Sequence, residues 1–228
     1  MSKIAVISDV HANVFALSEF IDRVEGEVEK IYCCGDILGY YPYYDETLAL
    51  FEKYKIVSIQ GNHDKYITGL LAPQRPNEML ASSIFYGKKQ LSEKTKKTIC
   101  GLPDILKFKT AGVELSIFHG LFDDCEACLC EDNLGVFFQN RENLPQVSDF
   151  NFFGHTHVPF IKEINGKTFI NVGSLGYPRD GAPAYVIFDL ENKLARKFNF
   201  QYLTEKLKRD IEARKYDAAY TRMLLGRL

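Results

Sequence analysis

The 228-residue sequence contains no run of about 18 apolar residues, which excludes a membrane-spanning helix, and no membrane partner is expected. It also lacks an excess of charge: 28 Lys and Arg face 30 Asp and Glu, for a formal net charge of −2. No overall positive field gathers nucleic acid, so the charge does not indicate that partner, and a phosphate-bearing substrate has to be attracted locally. The first apolar stretch, Ile4 to Ile7, ends at Ser8 and Asp9, far below the ~7–15 residues of a secretory h-region, and a cytoplasmic protein is expected. There is no linker, low-complexity stretch or repeat period of roughly 20–50 residues. One domain over residues 1–228 is expected, with a helical segment at about 203–228.

What is present suits a globular chain, since 46% hydrophobic and 25% charged residues leave enough apolar surface for a substantial core. Six cysteines without an export signal are expected to stay reduced. Cys33 and Cys34 sit in the apolar run Ile31-Tyr-Cys-Cys and read as core strand residues. Cys125-Glu-Ala-Cys128-Leu-Cys130 has no second pair of the kind zinc or iron–sulfur frameworks use, which favours packing over a metal or redox role.

The first half repeats one theme. Ile4 to Ile7 end at Asp9, and Val14, Leu17, Phe20, Ile21 and Val24 then recur at helical spacing. Ile31 to Cys34 end at Gly35-Asp36, a helical pattern runs from Pro42 to Phe51, and Ile56 to Ile59 end at Gln60-Gly-Asn-His-Asp64. This β-α-β-α-β order predicts a largely parallel sheet with a site beyond the strand carboxyl ends. Lys65 to Lys97 read as helical, broken around Ala72 to Pro76, and are expected to flank the site. The second half predicts strands at Val113–Phe118, Phe150–Phe153, Phe160–Ile164, Thr168–Val172, Ala184–Leu190 and Leu194–Phe200, with Asn165-Gly166 as a type I′ hairpin turn. A second sheet follows from them. Beyond Thr204, Leu207, Ile211, Tyr216, Tyr220 and Leu224 supply the apolar stripe of a terminal helix or helix pair.

Each of the five histidines falls at or just past the end of an apolar run, in Asp9-Val-His11, Gly61-Asn-His-Asp64, His119-Gly120 and Gly154-His-Thr-His157, with Gly35-Asp36 at an equivalent position. Strand ends hold ligands rigidly, and neighbouring glycines let the backbone turn beside them. A mixture of carboxylate and imidazole suits Mn²⁺, Fe²⁺, Co²⁺, Ni²⁺ or Zn²⁺. The candidates Asp9, His11, Asp36, Asn62, His119, His155 and His157 exceed the needs of one ion; with one carboxylate shared they provide four ligands to each of two.

In this order, Asp-x-His, Gly-Asp, Gly-Asn-His-Asp, His-Gly and Gly-His-Thr-His resemble the calcineurin-like metallophosphoesterase superfamily, and Asn171-Val-Gly-Ser-Leu-Gly-Tyr-Pro-Arg-Asp-Gly181 resembles the segment that follows in its small bacterial and archaeal phosphodiesterase-like members. The resemblance implies a four-layer α/β/β/α sandwich with two mixed β-sheets. It assigns Asp9, His11, Asp36 and His157 to a first divalent ion and Asp36, Asn62, His119 and His155 to a second, with a hydroxide between them as nucleophile. His63 becomes a non-ligand acting on the leaving group, oriented by Asp64. The cysteine run departs from the family pattern and bears on the substrate pocket more than on the chemistry.

Three weaker signals stay open. Asn13 suits a helix N-cap or a hydrogen bond to phosphate; Arg179 suits a phosphate clamp or a surface turn; Tyr40, Tyr41, Tyr43 and Tyr44 suit base stacking or plain packing. The function expected is a metal-dependent phosphodiesterase acting on a nucleotide or other small phosphodiester. Phosphomonoesters, phosphoproteins and dinucleoside polyphosphates are alternatives served by the same core. A non-catalytic interaction scaffold is the alternative of another class, disfavoured because all seven ligands and His63 remain.

Overall fold

Residues 2–139, 147–226 and 228 are described by the computed structural model. The chain begins β1 (Lys3–Ile7), α1 (Val14–Val24), β2 (Lys30–Cys33), α2 (Tyr44–Lys53) and β3 (Val57–Ser58), the order that the periodicity predicts. Three helices follow, α3 (Asn62–Thr68), α4 (Glu78–Gln90) and α5 (Glu93–Cys100). Then come β4 (Leu106–Thr110), β5 (Val113–Ile117), α6 (Leu134–Gln139), β6 (Phe150–Phe153), β7 (Phe160–Ile164), β8 (Lys167–Asn171), β9 (Ala184–Asp189), β10 (Leu194–Asn199), α7 (Glu205–Ala213) and α8 (Ala218–Leu225).

Two mixed five-stranded sheets result, ordered β10-β9-β1-β2-β3 and β4-β5-β6-β8-β7. Strand alternation explains why the inner strands read as unbroken apolar runs. In β1, Ile4 and Val6 face the second sheet while Ala5 and Ile7 face the helices; Cys34 and Cys33 divide in the same way. Ile4, Val6, Val186 and Phe188 from one sheet meet Leu115, Ile117, Phe152 and Ile170 from the other. Each such fully buried side chain contributes about 1.5–3 kcal/mol relative to exposure. On the outer face of the first sheet lie Leu17, Phe20 and Ile21 of α1 with Phe51 of α2. Phe153 and Phe169 on the outer face of the second are covered by Leu129 and Leu134. The layers are therefore helix, sheet, sheet, helix.

Asn165 and Gly166 take φ of 51° and 72° and join β7 to β8, as the sequence predicts. A second turn of this kind lies outside that expectation. Ala111 and Gly112 take φ of 48° and 76° between β4 and β5. Ala tolerates a left-handed φ poorly, so the pair carries no hairpin signal, although Leu106-Lys-Phe-Lys-Thr110 alternates as a strand should. The helical tract after Lys65 is three helices rather than two, because Ser92 restarts it by capping Thr95 N. The tail is a helix pair whose Leu207, Ile211, Tyr220 and Leu224 pack with Tyr41, Tyr43 and Tyr177. No helix among the described residues is long and apolar enough to cross a membrane.

Candidate metal centre

The parallel strands set the site. β1, β2 and β3 run parallel in one sheet, β5 and β6 in the other, and each is followed at its carboxyl end by candidate ligands. Asp9 and His11 follow β1, Asp36 follows β2, Asn62 and His63 follow β3, His119 follows β5, and His155 and His157 follow β6. Five of them, Asp9, His11, Asp36, His155 and His157, adopt φ between 49° and 68°. Non-glycine residues rarely accept the left-handed region, and its concentration here marks strain held at a functional site.

Each aspartate splits its carboxylate. Asp9 Oδ2 accepts the His155 backbone N–H at 3.0 Å, while Oδ1 makes no hydrogen bond and faces His157 Nε2 at 3.0 Å and His11 Nε2 at 3.7 Å. Asp36 Oδ1 accepts the His63 backbone N–H at 2.8 Å, and its Oδ2 lies 3.3 Å from His119 Nε2 and 3.8 Å from His11 Nε2. Outer ring nitrogens meet main-chain carbonyls: His11 Nδ1 meets Leu38 O at 3.3 Å, His119 Nδ1 meets Cys34 O at 2.7 Å, and His157 Nδ1 meets Tyr177 O at 2.5 Å. A carbonyl only accepts, so each neutral ring carries its proton on Nδ1 and turns an Nε2 lone pair inward. His11 Nε2 and His157 Nε2 are then 3.1 Å apart beside Asp9 Oδ1. Acceptors brought this close, and buried, call for a cation between them. Asn62 Oδ1 faces His119 Nε2 and His155 Nδ1, each at 2.9 Å.

The charges agree. Burial raises the pKa of Asp9, but His157 and then His119 outweigh it and hold the carboxyl below the usual range. For Asp36, burial is outweighed by His119, His63 and His11, again well below that range. His119 goes the other way: burial pulls it down, and Asp36 with Asp9 pushes it up to about 9. His155 is taken down to about 3 by burial and by His119. Two ionised carboxylates with the imidazoles, of which His119 must release its Nε2 proton before it can ligate, form a donor set that fits borderline divalent ions. Donor atoms of Asp9, His11 and His157, and of Asp9, Asp36 and His119, lie within 4.8 Å of one another.

His63 lines a crevice of about 700 Å³ above the centre, with Tyr40, Tyr66, Cys128, Tyr177 and Arg179 among its walls. Its Nδ1 is buried without a hydrogen-bond partner, and its ring stands 4.8 Å from those of His11 and Tyr40. Burial lowers its pKa, against the pull of Asp36. A nitrogen of His63 also lies within 4.8 Å of donor atoms of His11 and Asp36.

Asp64 does not orient His63. Its carboxylate accepts backbone N–H groups from Gly61 at 2.9 Å, Ile37 at 3.2 Å and Leu38 at 2.8 Å, so it fixes the loop carrying Asp36 instead. Nor is Asn13 available to phosphate. Its Oδ1 caps α1 through Ala16 N at 3.1 Å, and its Nδ2 donates to Gly176 O and Tyr202 Oη at 2.9 and 2.7 Å. Arg179 is exposed on the crevice wall, where a clamp would stand. Of the four tyrosines only Tyr40 lines the crevice; Tyr41, Tyr43 and Tyr44 are core. Packing fails as an account of Cys128 and Cys130, both exposed, because Leu129 between them turns inward. Sequence reasoning missed the pairing of Tyr66 Oη with Glu126 at the crevice edge; no local pattern joins residues so far apart.

The pattern of the calcineurin-like phosphoesterase superfamily domain matches residues 2–193. The chain belongs to this superfamily. It is 30% identical over 206 residues to the uncharacterized protein MJ0912 of Methanocaldococcus jannaschii, covering 82% of this chain and 83% of that one. A crystal structure of the hypothetical protein PH1004 from Pyrococcus horikoshii OT3 superposes with a TM-score of 0.82 at 17% identity, covering 98% of each chain. That of a metallophosphoesterase from Sphaerobacter thermophilus does so with 0.79 at 24% identity, covering 100% of this chain and 99% of the other. These likenesses support the fold.

Proposed function

We propose that the protein is a binuclear metal-dependent phosphoesterase that hydrolyses a nucleotide or other small phosphodiester. Asp9, His11, Asp36 and His157 would hold one divalent ion, and Asp36, Asn62, His119 and His155 a second, drawn from Mn²⁺, Fe²⁺, Co²⁺, Ni²⁺ or Zn²⁺. The observation that carries the reading is the position of Asp36 Oδ2, within 3.8 Å of a histidine nitrogen from each set. When bound, such ions lower the pKa of water and polarise phosphoryl oxygens.

The chain's own residues supply the rest. His63 lines the crevice, its Nδ1 is buried without a hydrogen-bond partner, and it would hand a proton to a leaving oxygen. Burial disfavours the imidazolium, and a bound phosphate anion opposes that effect. Arg179 brings a guanidinium to the crevice wall, where it can pair with a phosphate oxygen. Tyr40, Met79, Leu80 and Met223 extend the crevice with apolar surface, which suits an organic group on the phosphorus beyond the one that leaves.

The test is turnover of bis-p-nitrophenyl phosphate, p-nitrophenyl phosphate, a cyclic nucleotide and a dinucleoside polyphosphate with each of the five ions. Diesters are expected to exceed the monoester in kcat/KM. Faster monoester turnover would replace the diesterase reading. Binding of two ions with no turnover of any substrate would favour the scaffold.

A further inference from the structure

Four imidazoles surround the centre, and each needs its outer nitrogen held if the inner one is to stay aimed. For His11, His119 and His157 the holder is a main-chain carbonyl. His155 is built differently. Its inner nitrogen is Nδ1, 2.9 Å from Asn62 Oδ1, and its outer Nε2 faces Cys128 Sγ at 3.5 Å. No other hydrogen-bond partner of Nε2 is found among the described residues.

We infer that Cys128 is a positioning residue for His155, its sulfur accepting the Nε2 proton when Nδ1 serves as a ligand. This rests on the two-ion reading above. A neutral imidazole carries one proton, so a cation on the Nδ1 lone pair requires that proton on Nε2, where an acceptor must meet it. Cys128 occupies that place because Leu129 anchors the loop in the core and turns its neighbour out to the crevice wall, among Arg75 and Arg179. The thiol cannot ligate through the same face, since it lies across the ring from Nδ1. Sulfur is a weak acceptor, so His155 is held less firmly than the three carbonyl-bonded rings.

The experiment is titration of Co²⁺ into the ion-free full-length protein, wild type and the variants Cys128→Val and Cys128→Ser, followed by calorimetry and by cobalt absorption. Wild type is expected to take two ions without a sulfur-to-cobalt charge-transfer band. Cys128→Val should weaken one of the two about tenfold, the low end of the roughly 10- to 100-fold effect of outer ligand partners. Cys128→Ser, which restores an acceptor, should return close to wild type. Unfolding midpoints of the three ion-free proteins should coincide, which separates positioning from folding. Unchanged affinity in Cys128→Val, or equal weakening in both variants, would overturn the inference. A charge-transfer band that vanishes in Cys128→Val would also overturn it, by making Cys128 a ligand. Wild type that binds no Co²⁺ would overturn the two-ion reading itself, and this assignment with it.

Discussion

Asp9 and Asp36 each use one carboxylate oxygen to hold a neighbouring loop and aim the other at the centre, so the same residue builds and serves the site. Their substitutions should differ. Asp36 Oδ2 lies within 3.8 Å of a ring nitrogen from each set, His11 and His119, whereas the ring nitrogens that close to Asp9 Oδ1 are those of His11 and His157, both of the first set. Asp36→Asn should therefore remove both ions and all turnover, while Asp9→Asn keeps the second ion; elemental analysis beside kcat decides, and two ions retained in Asp36→Asn would end the bridging assignment. His63 needs a kinetic test. An alkoxide leaves poorly without a proton and p-nitrophenolate leaves readily, so His63→Gln should cost ~10²- to 10⁴-fold in kcat/KM on an alkyl or ribose ester and clearly less on a p-nitrophenyl ester. Equal losses would point to charge stabilisation. Loss of a metal would make His63 a ligand, a role that its distance from His11 and Asp36 also permits.

At the scale of elements, the site depends on how tightly the strand ends approach. Gly154 follows β6 where a Cβ would meet Ser8 Oγ and Asp9 Oδ2 well inside van der Waals contact. Gly154→Ala should displace Asp9 and weaken metal binding, with about 1–3 kcal/mol of stability lost as in other overpacked sites. Metal stoichiometry beside denaturant unfolding checks this, and full occupancy at wild-type stability would count against it. These close approaches also explain what the sequence disclosed. His11, Asp36, His119, His155 and His157 each sit within a short apolar-run-then-turn pattern, and that pattern is local, so the ligands were legible. The partners of Asp64 and Asn13 were not. Asp64 bonds main-chain groups of Ile37 and Leu38, and Asn13 reaches Gly176 and Tyr202, contacts set by folding between residues far apart in sequence. The same holds for Cys128, whose spacing to Cys125 and Cys130 says nothing about His155. Most element types followed from periodicity; α6 and β4 escaped, β4 because its turn is Ala111-Gly112.

In the whole molecule, the two sheets place Asp9 and Asp36 from one and His119, His155 and His157 from the other at a shared edge, so a cation bound there ties the sheets together. An unfolded chain has no such arrangement, and binding free energy then becomes folding free energy. At a free ion concentration 100 times the dissociation constant, each site should add about 2.7 kcal/mol. For a chain of this length that corresponds to a rise in Tm of about 5–11 °C per site. The concentration dependence is more telling than the size. Above saturation, stability grows with ln[M²⁺] by RT for every ion bound to the folded state alone, so two sites give a slope of about 2RT and one gives RT. Urea unfolding across a Mn²⁺ series, from chelator-treated to millimolar, should show the steeper slope for wild type, with Asp9→Asn falling to the shallower one. Asp36→Asn should lose the dependence altogether. A wild-type slope of RT would reduce the centre to one ion and remove the shared role of Asp36, whatever the activity measured.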